Sequence, residues 1–433
     1  MLQLFQMGAR SLWQHRTRTL LLGAAIAAVS ALLIALTSLS TGMRTTMLVS
    51  ATTLSTGHLN VAGFYKVTSG QSAPVVTDYR KLMDVVKEAV PEIDYLTERG
   101  RGWAKIISDT GSMQVGLAGV DISKEAGFKK VVTALSGNLD DLAKPGAIVI
   151  FEEQAKKLEV KVGDRLTISA ATPRGTSNTI DVTVVAIGQN IGMMSNWNTF
   201  MNGSSLRELY QLNDDTAGAI HVYLKDINQV KAVQARLRKV LAEKGYGVMD
   251  DDPRAFWMKF QSVNREDWTG QKIDVTTWED EISFVKWTVD GLTGLAVMVT
   301  IVLLVIIGVG IMNVMWITIR ERTREIGTLR AIGMQRARVL GMFVIEGFLL
   351  GLAGTVSGTA LGFAFSAALN AAHAKVPVAA QLFLMTDHLV MLPTVAWAVF
   401  AVVFITGVIT AVSLVPSFLA ARMKPITAMS HIG

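Results

Sequence analysis

The residues able to do chemistry in this chain are scattered, and their spacing argues against catalysis. Six histidines (His15, His58, His221, His373, His388 and His431) show no HExxH and no other paired ligand spacing, and cysteine is absent, so neither an imidazole nor a thiolate metal site is expected. The stretch around Ser357 is not a GxSxG elbow, and no Gly-Lys dipeptide occurs, so the lysine of a nucleotide-binding P-loop is missing. Asp250, Asp251 and Asp252 could bind a divalent cation, but a solvated turn is the preferred reading, because aspartate so commonly occupies turns. Trp257, Phe260 and Trp268 could form an apolar recognition surface or pack inside. No catalytic residue and no metal site is assigned.

Three other patterns carry more information. Residues 320–338 read RERTREIGTLRAIGMQRAR, a basic segment in which Ile326, Leu329 and Ile332 recur at helical spacing. They are flanked by Arg320, Glu321, Arg322, Arg324, Glu325 and Arg330 and closed by Gly333 and Met334. A short amphipathic helix of this kind suits docking into a groove on a cytosolic partner, whereas the charge alone would need no partner. Farther on, Gly347, Gly351, Gly354, Gly358 and Gly362 are spaced four, three, four and four apart, which places all five on one helical face for close packing against another helix. Glu346 sits beside them in an otherwise apolar run, where a carboxylate is either functional, paired with Arg338 or facing the lipid headgroup region.

The elements that must position these residues are membrane spans. Half of the residues are apolar, 18% are charged and the mean hydropathy is +0.39. Residues 42–287 have a net charge of −1, like an ordinary soluble domain, while the remainder carries +7 in mostly apolar sequence. The basic balance therefore belongs to membrane flanks, and no nucleic-acid partner is expected. Four stretches exceed the roughly 20 apolar residues needed to cross a hydrocarbon core, and spans are expected at 19–43, 288–319, 339–372 and 391–418. The first is too long for a typical cleaved leader and is expected to remain as an anchor. Leu2, Phe5, Ala9 and Leu12 within residues 1–18 suggest an amphipathic segment on the lipid surface.

Eleven of the twelve cations flanking the spans lie on one side, which the positive-inside rule assigns to the cytoplasm. Both termini, including the tail 419–433, and the connector 320–338 are then inside. Residues 44–287 and the short loop 373–390 are outside.

The large segment 44–287 mixes both periodicities. Leu82, Val85, Val86 and Val90 form one helical stripe, and Val230, Val233, Leu237 and Leu241 form another. The second stripe lies between AIHVYLKD and YGVMDDD, which predicts strand, helix, strand. Residues 146–192 read as short strands joined by Gly, Pro, Ser and Thr turns, a β-rich module inside an α+β domain. The fold class expected is therefore an α-helical membrane protein with four transmembrane helices and a large α+β extracytoplasmic domain holding a β-rich insert.

Taken together, the four spans, REIGTLRAIGM after the second, EGFLLGLAGTVSGTALG in the third and VPSFLAARMKPITAM near the end resemble the MacB/FtsX-type ABC transporter permeases. SLWQHRTRTLLL, GHLNV and VGLAGVD look most similar to LolC/LolE-like permeases of lipoprotein release systems. The resemblance implies a non-enzymatic membrane subunit of the bacterial inner membrane working by mechanotransmission. Residues 320–334 would couple it to a cytosolic ATPase dimer that binds the ATP and magnesium. The other partners implied are a second permease copy or paralogue, membrane lipid, and a periplasmic carrier or adaptor. Release of lipoproteins is the activity implied first, with MacB-like efflux or FtsX-like control of a cell-wall hydrolase as alternatives.

Overall fold

The computed structural model describes residues 5–6, 10, 12–14, 16–377, 380–381 and 384–422. The amphipathic segment expected before residue 18 lies largely outside that range, and the tail beyond Arg422 wholly so. Contacts divide the chain into a helical unit (Met1–Arg44, Val289–Lys375 and His388–Gly433) and a globular unit (Thr45–Thr288 and Val376–Asp387).

Four long helices, Arg16–Ala51, Ser283–Glu321, Arg336–Ala371 and Val395–Arg422, are each long and apolar enough to cross a membrane. Their shared core is apolar: Ile26 and Ile34 of the first helix and Ile307 and Ile311 of the second meet Phe343 and Leu350 of the third and Ile405 and Ile409 of the fourth. The outward face of the second helix leaves Val305 60%, Ile306 59% and Val309 66% exposed, a patch that water would penalise and lipid would not. The fourth helix begins at Val395, four residues later than expected. Pro393 disfavours helical backbone in the residue before it, and the residues just before Val395 are not helical, with Leu392 N donating to Ser38 O at 3.0 Å.

The globular unit is built on ten main strands: β1 (Leu59–Thr68), β2 (Ile93–Ile107), β3 (Ser112–Val120), β4 (Ala134–Gly137), β5 (Ala147–Phe151), β6 (Arg165–Ala171), β7 (Ser177–Gly188), β8 (Asn198–Asn202), β9 (Ala219–Leu224) and β10 (Gly270–Thr277). They run in the order β10-β1-β9-β2-β3-β8-β5-β7-β4, with β6 pairing β2 and β7. The 15-residue β2 joins two lobes. Its first half pairs with β9, from Ile93 opposite Leu224 to Arg99 opposite Ala219, and its second half pairs with β3. Helices α1 (Tyr79–Ala89), α2 (Gly203–Tyr210), α3 (Val230–Glu243) and α4 (Phe256–Arg265) cover the sheet.

In the first lobe Leu82 and Val86 of α1 and Val230, Val233, Leu237 and Leu241 of α3 are buried against Val61, Ile220 and Val275, as the helical stripes predict. The strand expected after α3 is reduced to a single bridge, Val248 to Ile273. The aspartates that follow turn toward arginines instead: Asp252 accepts from Arg254 Nε at 2.8 Å. The second lobe is wider than the module expected at 146–192. β3, β8 and the second half of β2 share its sheet, and Ala104, Val115 and Met201 share its core with Ile148, Ile168 and Val184.

Candidate functional site

Two places concentrate polar residues where the fold could spend only apolar ones. The first is the connector of the helical unit. The second long helix is interrupted at Arg322, whose backbone leaves helical geometry at φ −98°, ψ 13°, and a short helix follows over Thr323–Ala331. Gly333 closes it in the left-handed region at φ +101°. Met334 N donates to Leu329 O at 3.0 Å and Gly333 N to Arg330 O at 3.2 Å, the paired bonds of a Schellman turn. Only glycine takes that backbone without strain.

The apolar stripe of this helix divides. Ile326 is 1% exposed and packs with Val339, Met342 and Ala421 inside the helical unit. This corrects its assignment to a docking face, since a side chain already buried has no area left to offer a partner. Leu329 is half-buried and Met334 leans on the same core, while Ile332 is 76% exposed. Arg320, Glu321, Arg324, Glu325 and Gly333 are exposed beside it. Arg330 is held inward, donating from Nη1 to Ala421 O at 2.6 Å near the end of the fourth helix, a cation on the orphan carbonyls of a helix C-terminus.

Glu346 has a different partner from the expected Arg338. Its Oε2 accepts from Arg322 Nη1 at 3.3 Å, and Arg322 Nε donates to Glu325 Oε2 at 3.0 Å. Both members of the Arg322–Glu346 pair are largely buried, at 14% and 12% side-chain exposure, so the pair ties the break in the second helix to the third.

The five stripe glycines are all buried, and they serve two neighbours. A Cβ on Gly347 would lie 2.8 Å from Ser413 Oγ and one on Gly351 3.1 Å from Ile409 Cγ2, both on the fourth helix. A Cβ on Gly354, Gly358 or Gly362 would instead strike Ile26, the Ala27 carbonyl or Ile34 on the first helix. The stripe therefore packs within this chain. Gly42 makes an equally close approach that spacing does not reveal, its missing Cβ lying 1.8 Å from Val390 O.

The second concentration lies in the globular unit, where β2 meets the end of the first long helix. Arg99 is 2% exposed and forms a buried pair with Glu125, donating from Nε at 2.6 Å. Its Nη2 also donates to Thr53 O at 2.8 Å, in the π-turn Thr52–Thr56 that ends the helix. Tyr223 donates to Thr52 O at 3.2 Å and stacks on Tyr95. Glu281 accepts from Thr276, Asn60 and the Phe256 amide, and Lys259 pairs with Asp274 at 2.7 Å. Sequence reading missed this network, because charged residues on strands, helices and turns ordinarily face water. Burial raises the carboxyls of Glu125, Asp274 and Glu281 above their ordinary values. Among the described residues no cluster of three His, Asp or Glu is placed to hold a metal.

His221 sits in the same layer, opposite Asn60 on β1 and Thr97 on β2. Burial, reinforced by Arg99 and Arg101, holds it well below 6.5. The folded state then stays unprotonated while the unfolded chain takes up a proton below pH 6.5, so stability is lost as pH falls through that value. Relative to His221→Asn, the wild-type chain should lose about 1.4 kcal/mol per pH unit below that point. Hydrogen exchange of the β9 amides across pH, corrected for intrinsic rates, measures the difference. A constant gap between the two proteins would show that His221 is charged when folded.

Residues 19–240, more than half of the chain, match the model of the MacB-like periplasmic core domain. The chain belongs to the MacB/FtsX permease family. Residues 297–425 of this permease match the FtsX-like permease C-terminal model, which takes in the connector and the glycine stripe. The chain is 39% identical over 123 residues to the pyoverdine export ATP-binding/permease protein PvdT of Pseudomonas syringae pv. syringae, covering 28% of this permease and 16% of that protein. It is 38% identical over 124 residues to the macrolide export ATP-binding/permease protein MacB of Nitrobacter winogradskyi, covering 29% and 17%. The matches thus span under a fifth of these relatives' lengths. Among solved structures, the periplasmic region of MacB from Actinobacillus actinomycetemcomitans aligns with 12% identity and a TM-score of 0.31, covering 53% of this permease and 92% of that chain. The architecture is that of a multi-pass inner-membrane permease, four apolar helices with a large α+β periplasmic-type domain.

Proposed function

We propose that this permease is the membrane subunit of an ATP-driven machine whose ATPase is a separate cytosolic dimer, with both termini and the connector on the cytoplasmic side. The observation that carries the reading is the connector: a helix fixed by Ile326, Arg330 and the Arg322–Glu346 pair, closed by a glycine turn, and projecting Ile332 at 76% exposure. Such a rigid apolar knob ringed by charge suits a groove on a partner. Closure of an ATPase dimer carrying two permease copies, or this permease and a paralogue, would then pull on the long helices and move the periplasmic domains.

The test is Ile332→Asp. Burying one isoleucine contributes roughly 1.5–3 kcal/mol, so ATPase co-purification should fall by about tenfold or more. Arg324→Ala should do much less, because charge contacts at a rim are weak, and Ile332→Leu should be near neutral. Leu329 is the poorer probe, since its half-buried side chain mixes folding with docking. Undiminished ATPase association in Ile332→Asp would leave the connector as a topology signal only.

For the substrate, similarity to LolC/LolE-like permeases supports extraction of lipoproteins toward a periplasmic carrier. A second reading is MacB-like expulsion of small molecules or peptides through an adaptor and an outer-membrane duct, and what the relatives' names support in it is export, of a macrolide and of pyoverdine. Mass spectrometry of proteins purified with the full chain separates them. A carrier supports the first and an adaptor the second; a cell-wall hydrolase would replace both with an FtsX-like role.

A further inference from the structure

Beside the Arg99 clamp the globular unit holds a cavity of about 280 Å³. Its wall is mostly apolar and includes Trp103, Met194, Trp197, Phe256 and Trp257. The end of the first long helix enters it through Leu54 and Ser55, and the start of the second through Ile282, Ser283 and Phe284. The charged residues of this wall are Arg99, Arg101 and Glu281; Arg101 is the cation with donors to spare. It follows Arg99 by two residues on β2, so both project to the same face of the strand.

The two arginines are used differently. Arg99 is saturated by Glu125 and by helix carbonyls, whereas Arg101 Nε and Nη2 are buried without a hydrogen-bond partner among the described residues. The Arg101 guanidinium lies 3.9 Å from the centre of the Phe256 ring, which holds it flat without occupying its donors. Glu281 balances the charge through space, but its oxygens are engaged by Asn60, Thr276 and the Phe256 amide. A buried donor left unmade is expensive. Nε and Nη2 form one edge of the guanidinium, the fork that meets two oxygens of a carboxylate or phosphate. His221 Nδ1, on a residue 3% exposed, is a second buried polar atom of the same wall without a partner.

We propose that this cavity binds an amphipathic anion, its carboxylate or phosphate held by the Nε–Nη2 edge of Arg101 and its alkyl chain laid among Trp103, Met194, Trp197 and Trp257. The assignment does not depend on the identity of the exported substrate. Because segments of both long helices line the cavity, a bound ligand would touch the parts of the chain that lead into the membrane.

The experiment uses the full chain in lipid nanodiscs, a diazirine-bearing decanoate and mass spectrometry of the labelled peptides. Labelling should fall on peptides containing Met194, Trp197 and Trp257. Decanoate and decyl phosphate should compete at least tenfold better than methyl decanoate, which keeps the chain and loses the anion. Inorganic phosphate should compete weakly. Whichever of decanoate and decyl phosphate competes better separates a carboxylate source from a phospholipid one. Arg101→Gln should lose labelling at least tenfold while β2 keeps its hydrogen-exchange protection. If that variant fails to fold, Trp197→Ala decides, because its ring is 56% exposed and its loss should weaken labelling without disturbing the core. The proposal is overturned by equal competition from the ester, by label spread evenly over the surface and lipid-facing helices, or by wild-type labelling in a folded Arg101→Gln or Trp197→Ala protein. A cavity that merely holds water would give the second of these results.

Discussion

Gly358→Leu is expected to prevent the first and third long helices from closing on each other, with the helical unit failing to assemble. The reason is what a side chain would meet. A Cβ at 358 would lie 2.3 Å from the Ala27 carbonyl oxygen and 2.7 Å from the Ala27 Cα. Those are backbone atoms of a hydrogen-bonded helix, so no rotamer change relieves the contact and the helices must separate along their length. Overpacking of a core costs about 1–3 kcal/mol where side chains can adjust, and here the cost should exceed that range. Even Gly358→Ala should be poorly tolerated. The contacts predict an order: Gly354 and Gly362 come next, because the nearest atoms there belong to Ile26 and Ile34 side chains. Gly351 is mildest, because its nearest neighbour, Ile409 Cγ2, lies 3.1 Å from the added atom, whereas at Gly347 Ser413 Cβ stays at 3.0 Å whichever way Oγ turns. Gly310 and Gly407 have nothing within 4 Å of the position a Cβ would take and serve as controls. Thermal aggregation of the solubilised full chain measures the series. Equal midpoints for Gly358→Leu and Gly407→Leu would mean the first and third helices are not in contact.

This series also shows where sequence reading stops. Spacing places the five glycines on one face, since helical periodicity is a local property, but it cannot choose between neighbours. Gly347 and Gly351 face the fourth helix and the other three face the first. The same limit explains Glu346. Arg338 is eight residues away and was the natural partner, whereas Arg322 lies 24 residues away across the connector and becomes adjacent only when the second and third helices pack. Gly42 gave no signal at all, because a lone glycine beside threonines has no periodicity to report. The spans and the α1 and α3 stripes were legible because long apolar runs and the 3.6-residue repeat reflect burial directly. The Arg99-Gly-Arg-Gly-Trp run of β2 was illegible for the opposite reason. Arg99 is buried against a carboxylate and helix carbonyls supplied from other parts of the chain, so nothing nearby in sequence marks it as interior.

Arg99→Met should be the most damaging single change in the globular unit. It preserves much of the side chain's length while stranding the Glu125 carboxylate and removing the donor to Thr53 O. Removing one member of a buried ion pair costs about 3–5 kcal/mol, chiefly through the charge left behind. The damage should be pH-dependent with a defined sign. Burial already raises the Glu125 carboxyl against the pull of Arg99, and without Arg99 that rise goes unopposed. The folded variant then binds a proton that the unfolded chain does not hold until near its ordinary value of 4.5, so its stability increases as pH falls toward 4.5. The deficit relative to wild type should therefore shrink from pH 8 to pH 5. Glu125→Gln strands the guanidinium instead, and arginine does not deprotonate in this range; the variant also lacks the raised carboxyl through which the wild type gains stability on acidification, so its deficit should widen rather than shrink as pH falls toward 4.5. Arg99→Met combined with Glu125→Leu removes both charges and should recover much of the loss, as apolar replacements of buried pairs commonly do. What the double variant cannot restore is the bond to Thr53 O, the link between β2 and the end of the first long helix. A double variant that folds well but no longer couples ATP turnover to transport would assign the clamp to force transmission. One that folds and works normally would make Arg99 and Glu125 a packing solution only.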